Sequence, residues 1–480
     1  MDWRAVVTGY PARIAIIGAG FTGTILAVQL LRQAKRPMAI SLLDRRGSFG
    51  RGLAYSARNP QHRLNVRVSN MSAFDDDPQH FIRWLWENDT IYNEASGVPP
   101  SGHAFVSRAT FGAYVEDVFR SAIADAGNRQ SAVTQRIDDV VDLSVQQNEL
   151  SLALAGGSSI SVDRAILCVG NFPPAPPFSL SARLLEAQRY IADPWDEAAI
   201  DRIGETDSVI VIGTGLTMVD MVVDLVARGH RGSIRALSRR GLLPNQHELT
   251  RSYPPFIEAP AKPGNVLRLM RRVRHEARHA AAQGYDWRSV MDAVRPIIGD
   301  LWRALPETER RRFLRHLRPY WDVHRHRMAP EIAQQIDVLR AAGRLVTTAG
   351  RISDADFVDN KIRLAFRPRS GGVIEHVTAD WMVNCSGPEC DYRRIRHPLV
   401  KSLLDSGLAR PDPLSLGLDL TERFELVNHA GIPSAAIYAL GPPARGMLWE
   451  STAVPDIRKQ CAQFAAWLAE DVGERARAIR

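Results

Sequence analysis

The polarity pattern of the chain alternates between short, wholly apolar runs and amphipathic stretches of helical period. Two stretches show it most clearly. Residues 14–23 read IAIIGAGFTG and residues 209–218 read VIVIGTGLTM. A short apolar run bounded by glycine predicts a strand buried on both faces, as in a parallel sheet. The first copy predicts a strand over 13–17, the turn Gly18-Ala19-Gly20-Phe21-Thr22-Gly23, a helix over 24–34 and a strand over 38–43. The second predicts a strand over 208–212, the turn Gly213-Thr214-Gly215, a helix over 216–227 and a strand over 233–237. Each is a βαβ unit, so the fold class is α/β with two Rossmann-like dinucleotide-binding domains. Residues 132–162 alternate apolar and polar around Gly156-Gly157 and predict a small β-meander, while residues 265–345 predict a helical insert.

A second phrase also recurs. Residues 163–170 read DRAILCVG and residues 380–387 read DWMVNCSG. Small residues at a strand end let the backbone pass close to a cofactor, which singles out Gly170 and Gly387. Cys168 and Cys385 read as small strand residues rather than reactive thiols. Pro173, Pro174, Pro176 and Pro177 form a stiff connector into the second domain. The expected organisation is a first part of one nucleotide domain over 1–195, an inserted second domain over 196–375, and the rest of the first domain over 376–480.

The glycines carry the chemistry. Gly18 permits the tight turn, Gly20 lets backbone amides approach a pyrophosphate, and Gly23 lets helix and strand pack closely, with the helix dipole favouring the phosphates. In the second copy Met218 replaces the third glycine, which predicts a wider separation of helix and strand. The copies differ again at the matching position after the second strand: Asp44, followed by Arg45, against Arg239 between Ser238 and Arg240. A carboxylate there accepts ribose hydroxyls and repels a 2′-phosphate, whereas a Ser-Arg-Arg cluster can clamp one. The first site is therefore expected to take FAD or NAD and the second NADPH; the other reading leaves Arg239 and Arg240 as solvated loop arginines.

Composition narrows the choices. The 480 residues hold 45% apolar and 24% charged residues, as in an ordinary globular protein, and on length amount to roughly three domains' worth of core. Four cysteines without a CxxC pair point to a reducing compartment and against a zinc ribbon or redox dithiol. The formal charge of +8 favours anionic ligands, yet no nucleic-acid reader module is present, so no nucleic-acid partner is expected. Residues 14–31 are mostly apolar, but their glycine spacing fits a strand–turn–helix better than a leader or anchor, so a cytoplasmic protein without membrane contact is expected. His275-Glu276-Ala277-Arg278-His279 spells HExxH, but Arg271, Arg272, Arg274 and Arg278 crowd it, and no metal is expected. The acidic run Asp75-Asp76-Asp77 reads as a turn leading into a helix over 80–86. No heptads or apolar stripe fix an oligomeric state; a homo-oligomer is compatible with the sequence.

Taken with GRGLAY (50–55), LNV (64–66), SRRGLLP (238–244), WDVHRHRMAP (321–330) and WESTAVPDIRKQC (449–461), the motifs resemble the FAD/NAD(P)-binding family of two-dinucleotide-binding-domain flavoproteins. The stretch from Asp163 to Pro176 is similar to a motif of N-hydroxylating flavin monooxygenases. The resemblance implies that Gly18, Gly20, Phe21, Thr22, Gly23, Asp44 and Arg45 hold the ADP part of FAD. It places Gly52, Tyr55 and Asn65 along the flavin and pyrophosphate, Gly441, Val454 and Pro455 at the flavin ring, and Gly213, Gly215, Leu216, Thr217, Ser238, Arg239 and Arg240 around NADPH, with Gly170 and Gly387 at the strand ends that pass close to the cofactors. Arg325, Arg327 and Arg445 become substrate candidates, and no catalytic side chain is assigned because the cofactor carries the chemistry. The sequence departs from many relatives in reading Gly441-Pro442 instead of Gly-Asp, which leaves a ribityl contact unassigned. The implied activity is NADPH- and O2-dependent hydroxylation, through a flavin C4a-hydroperoxide, of the amine of a small anionic, amino-acid-like molecule. The alternatives are an NADPH:acceptor reductase serving a partner protein or quinone, a non-catalytic nucleotide sensor, and a basic nucleic-acid binder.

Overall fold

The computed structural model describes residues 12–57, 59–88, 101–127, 131–146, 149–258 and 264–478. The chain forms two compact units: the described residues of 1–58, 66–171 and 390–480, and those of 59–65 and 172–389.

The first unit is built on a six-stranded sheet in the order Glu425–Val427, Pro433–Ala439, Arg164–Leu167, Arg13–Ile17, Ala39–Leu43, Ala132–Arg136. All neighbours are parallel except Glu425–Val427. Arg13–Ile17 lies inside the sheet with Ile14, Ala15 and Ile16 fully buried, which is why its apolar run is unbroken. The helix that follows spans Phe21–Gln33, three residues earlier than its composition predicts, because the turn closes at Gly20 and Thr24 N already donates to Gly20 O at 3.0 Å. Its residues from Phe21 to Leu31 are buried, and it packs on helices Arg108–Ala126 and Val454–Ala478. The predicted meander begins later than expected. Ala132–Arg136 joins the main sheet as its edge strand, and only Val140–Gln146, Glu149–Leu154 and Ser159–Val162 form the antiparallel three-stranded sheet. Alternation marks a half-buried strand but does not say which sheet it joins.

The second unit carries a seven-stranded sheet in the order Glu375–Ala379, Lys361–Pro368, Leu345–Val358, Ile234–Ser238, Val209–Ile212, Trp381–Asn384, Tyr190–Ile191. Helices Val266–Ala282, Trp287–Val294, Ile298–Ala304, Glu307–His316, Arg318–Arg325 and Pro330–Ala341 occupy the predicted insert. The division of the chain differs from the one its composition suggests. Tyr190–Ile191 and Trp381–Asn384 pair into the second sheet, so that unit reaches from 172 to 389 rather than from 196 to 375. The short stretch 59–65 belongs with it as well. Asn59 Nδ2 donates to Asp224 Oδ1 at 2.9 Å, the His62 ring stands edge-on to Trp195, and the Asn65 carbonyl accepts from His247 Nε2 at 3.0 Å.

Asp380 ties two strands of the second sheet at their starts: Oδ2 accepts from Ser208 N at 2.8 Å and Ser208 Oγ at 2.6 Å, and Oδ1 accepts from Lys361 Nζ at 2.9 Å. Burial alone would raise its pKa, but the hydrogen bonds from Ser208 and Lys361 outweigh that and hold it at about 2. A depressed folded-state pKa contributes stability that is complete above the unfolded value near ~4 and disappears as pH falls toward 2. Thermal midpoints of wild type and Asp380→Asn, measured from pH 6 down to pH 2, should therefore converge across that window; a constant gap would contradict the assignment.

Candidate dinucleotide-binding sites

The two phrases that recur in the sequence meet in space, and they do so identically in each unit. Gly18 N donates to Leu43 O at 2.8 Å and Gly213 N to Leu237 O at 2.7 Å. Cys168 N donates to Ile17 O, and Cys385 N to Ile212 O, both at 2.8 Å. Asp163 Oδ2 accepts from Arg13 N at 2.7 Å, as Asp380 does from Ser208 N. The strand ending in Cys-x-Gly thus runs parallel to the glycine-turn strand, with its cysteine carbonyl against the first glycine. Gly18 and Gly213 have φ of 102° and 107°, and a Cβ on either would overlap the carbonyl oxygen of Cys168 or Cys385. Two residues further on, a Cβ on Gly170 or Gly387 would meet nothing within 4 Å, so open space borders each turn.

In the first unit Gly20 is the N-cap of Phe21–Gln33, and no side chain caps that helix. By contrast, Ser107 and Asn265 cap their helices through side-chain oxygens. An end with open amides is a ready anion site. The GRGLAY loop folds over the turn: Gly50 N donates to Ala19 O at 2.9 Å, and a Cβ on Gly52 would stand 2.7 Å from Gly20 Cα. Asp44 is pinned beside it, accepting from Ala19 N at 3.1 Å and Arg46 N at 2.8 Å, which leaves further lone pairs for ribose hydroxyls. Arg45 is exposed. Phe21 turns its ring inward, 6.2 Å from Tyr55 and 5.7 Å from Phe111. Burial pushes the Tyr55 phenol up to about 12 against the pull of Arg108, so it stays protonated at neutral pH. Gly441 lies against the same helix, where a Cβ would come within 2.7 Å of Thr22 Oγ1, and its N–H donates to Gln460 Oε1 at 3.2 Å. Val454 and Pro455 open the helix Val454–Ala478, both buried. Uncapped amides, a pinned carboxylate and backbone-only walls fit the ADP half of a dinucleotide.

In the second unit Gly215 caps Leu216–Ala227, again with no side-chain cap, and Leu216 and Thr217 form its first turn. Met218, in the place of Gly23, is fully buried. The cluster after the second strand is only partly open. Ser238 Oγ bonds Thr214 Oγ1 at 2.9 Å and accepts from Gly241 N at 2.9 Å. Arg240 donates to Tyr320 Oη at 3.0 Å and to His316 O at 3.5 Å, with its guanidinium 4.9 Å from the Tyr320 ring. Arg239 is exposed, and among the described residues no side chain pairs with it. Of the three residues of the expected clamp, Ser238 and Arg240 are committed to the loop and the helical insert, and Arg239 stands exposed.

Other candidates are placed differently. Arg327 is 2% exposed, with its guanidinium on Asp292 at 2.5 Å and its Nε on His324 O at 2.8 Å, so it ties helices together rather than presenting donors. Arg325 ends the helix Arg318–Arg325, half-buried. Asn65 lies with the second unit, held through its carbonyl by His247. In the HExxH stretch, Glu276 faces inward and accepts from Tyr253 Oη at 2.6 Å while His275 and His279 are exposed, so the three do not converge. Among the described residues no other His, Cys, Asp or Glu group of metal-binding shape occurs, and no helix is long and apolar enough to cross a membrane. One segment escaped sequence reasoning. Trp449 adopts φ 62°, ψ −58°, and Ser451 is fully buried with an unbonded hydroxyl; nothing in their residue types signals either property.

Known proteins share part of this sequence and its fold. Residues 15–172 match the FAD-NAD(P)-binding family. That stretch contains the first glycine turn, Asp44, Gly52, Tyr55 and Gly170. No curated protein matches the sequence. Among solved structures, the chain is similar to an ornithine N-hydroxylase from Kutzneria sp. 744 (13% identity, TM-score 0.64, covering 97% of this chain and 99% of that one). It is similar to L-lysine 6-monooxygenase from Pseudomonas syringae (16%, 0.64, 96% and 99%) and to an ornithine hydroxylase from Pseudomonas aeruginosa (15%, 0.62, 96% and 99%). At these identities the likeness establishes the fold: two Rossmann-like domains along nearly the whole chain.

Proposed function

We propose that the protein is an FAD- and NADPH-dependent monooxygenase that hydroxylates the amine of a small, anionic, amino-acid-like substrate. The observation that carries this reading is the duplicated cradle with opposite charge at its sugar end, Asp44 in one unit and Arg239 in the other. A flavin site and a reductant site on one chain are what such a reaction requires, and the fold is that of solved ornithine and lysine hydroxylating enzymes. When bound, FAD supplies two-electron exchange with NADPH and reaction with O2. The chain's own residues bind and orient. Asp44 accepts the ribose hydroxyls, the amides at Gly20–Thr22 receive the pyrophosphate, and the rings of Phe21, Tyr55 and Phe111 exclude water beside the helix start. In the second unit the amides at Gly215–Thr217 take the NADPH pyrophosphate and Arg239 its 2′-phosphate.

The test is the purified protein with NADPH, O2 and a panel of small amines and amino acids. We expect co-purifying flavin, NADPH oxidation matched by oxygen uptake, and one hydroxylamine formed per NADPH with the preferred amine. NADPH oxidation that reduces quinones or dyes but never yields a hydroxylated amine would assign the protein as an acceptor reductase instead.

A further inference from the structure

Three arginines of the first unit pair with carboxylates: Arg51 with Glu116 at 2.6 Å, Arg410 with Asp419 at 2.7 Å and Arg458 with Asp75 at 3.4 Å. Arg445 does not. It is half-buried, its Nη1 reaches only the Cys390 sulfur at 3.5 Å, its guanidinium lies 5.0 Å from the Trp449 ring, and its buried Nε bonds nothing among the described residues. A guanidinium partly removed from water without a counter-ion is costly, and that cost persists in a fold only where something else offsets it.

Two further observations fall within six residues of it. Trp449 is held at φ 62°, ψ −58° in a three-residue turn closed by Glu450 N donating to Leu448 O at 2.8 Å. That is the rare, strained γ-turn, in a bulky residue with no glycine's freedom, and such strain concentrates at ligand sites. Immediately after it, Ser451 is fully buried, and among the described residues nothing hydrogen-bonds its Oγ. The segment starts from a fixed base, since Gly441 is seated on Thr22 of the nucleotide-binding helix and Gly446 has no room for a Cβ beside Asp412.

We propose that Arg445 and Ser451 are two donors of an oxyanion-binding site in the first unit, presented by the strained turn at Trp449. The ligand oxygen belongs to a carboxylate of the substrate or to a phosphate of the bound nucleotide; the first source rests on the function proposed above, the second does not. The two donors stand six residues apart on this segment, and one ligand oxygen between them would give each a partner.

The test uses the full-length protein and the variants Arg445→Met, Arg445→Lys and Ser451→Ala. Without ligand, Arg445→Met and Ser451→Ala should melt at or above the wild-type temperature, because the first removes a half-buried guanidinium without a counter-ion and the second a buried hydroxyl without a hydrogen-bond partner. Two binding measurements then separate the sources. If the oxyanion is the substrate's, the thermal shift of FAD-loaded wild type with L-ornithine or L-aspartate should exceed that with putrescine, which lacks the carboxylate. Arg445→Met should then bind the acids at least tenfold more weakly, Arg445→Lys should recover part of the loss, and the FAD dissociation constant should not move. If the oxyanion is the nucleotide's, the FAD dissociation constant of the apoprotein should rise tenfold or more in both Met and Ala variants, with amine discrimination unchanged. No change in either measurement, or a ligand-free melting temperature several degrees below wild type, would overturn the site and leave Arg445 a packing residue. These readouts need no turnover, so a protein that binds the acids yet hydroxylates nothing would sink the monooxygenase reading and leave the oxyanion site standing.

Discussion

Gly18→Ala should cost about 3 kcal/mol or more of stability and strip the protein of flavin, whereas Gly20→Ala should fold normally. At Gly18 the backbone sits at φ 102°, where a side chain adds roughly 1–2 kcal/mol of strain. The new Cβ would also overlap the Cys168 carbonyl, which is fixed in the parallel ladder beside Ile17, and overpacking of that kind costs about 1–3 kcal/mol more. Against a total of roughly 5–15 kcal/mol, that threatens the unit as a whole. Gly20, with φ −69°, would place a Cβ 3.6 Å from Gly52 Cα, an ordinary contact. Denaturant midpoints and flavin content measure both effects, and Gly213→Ala should repeat the Gly18 result in the second unit because it faces Cys385 in the same way. A Gly18→Ala protein with a wild-type midpoint would show that the glycine turn and the cysteine strand do not meet as described.

Arg239→Ala should weaken NADPH binding by about 2 kcal/mol, roughly thirtyfold, and leave NADH binding nearly unchanged, since a hydrogen bond to a charged group contributes about 1.5–3 kcal/mol. Arg240→Ala should do less, because its guanidinium is already engaged by Tyr320 and His316 and is not poised for a phosphate. Dissociation constants for both nucleotides in both variants decide the matter. If Arg240 rather than Arg239 controls the preference, the loop rearranges on binding.

These expectations were legible in the sequence to different depths. The buried strands at 13–17 and 209–212 and the helix at 216–227 stand out because an apolar run ending in glycine admits few structures. Asp44 and Arg239 stand out because they occupy equivalent places after equivalent strands. The start of the helix at Phe21 did not, since Phe, Thr and Gly are weak helix formers whose placement is decided by the turn they close. Ala132–Arg136 could not be told from a meander strand, because its partner Ala39–Leu43 is distant in sequence. The engagement of Arg240 by Tyr320 and of Arg327 by Asp292 depends on how the insert folds, and residue types alone do not encode which arginine finds a partner. Trp449 and Ser451 were silent for a different reason: strain and an unmet hydroxyl are properties of a conformation, not of a composition.

The stretch 59–65 makes the two units inseparable as inherited pieces. Asp224 is held by Arg228 from its own helix and by Asn59 from a strap whose neighbours on both sides belong to the other unit. A gene fragment beginning at Phe172 would encode every strand of the second sheet and still lack that strap. Shuffling of this protein with its relatives should therefore succeed only when both halves travel together, so the two glycine-turn sites are inherited as a pair rather than exchanged independently.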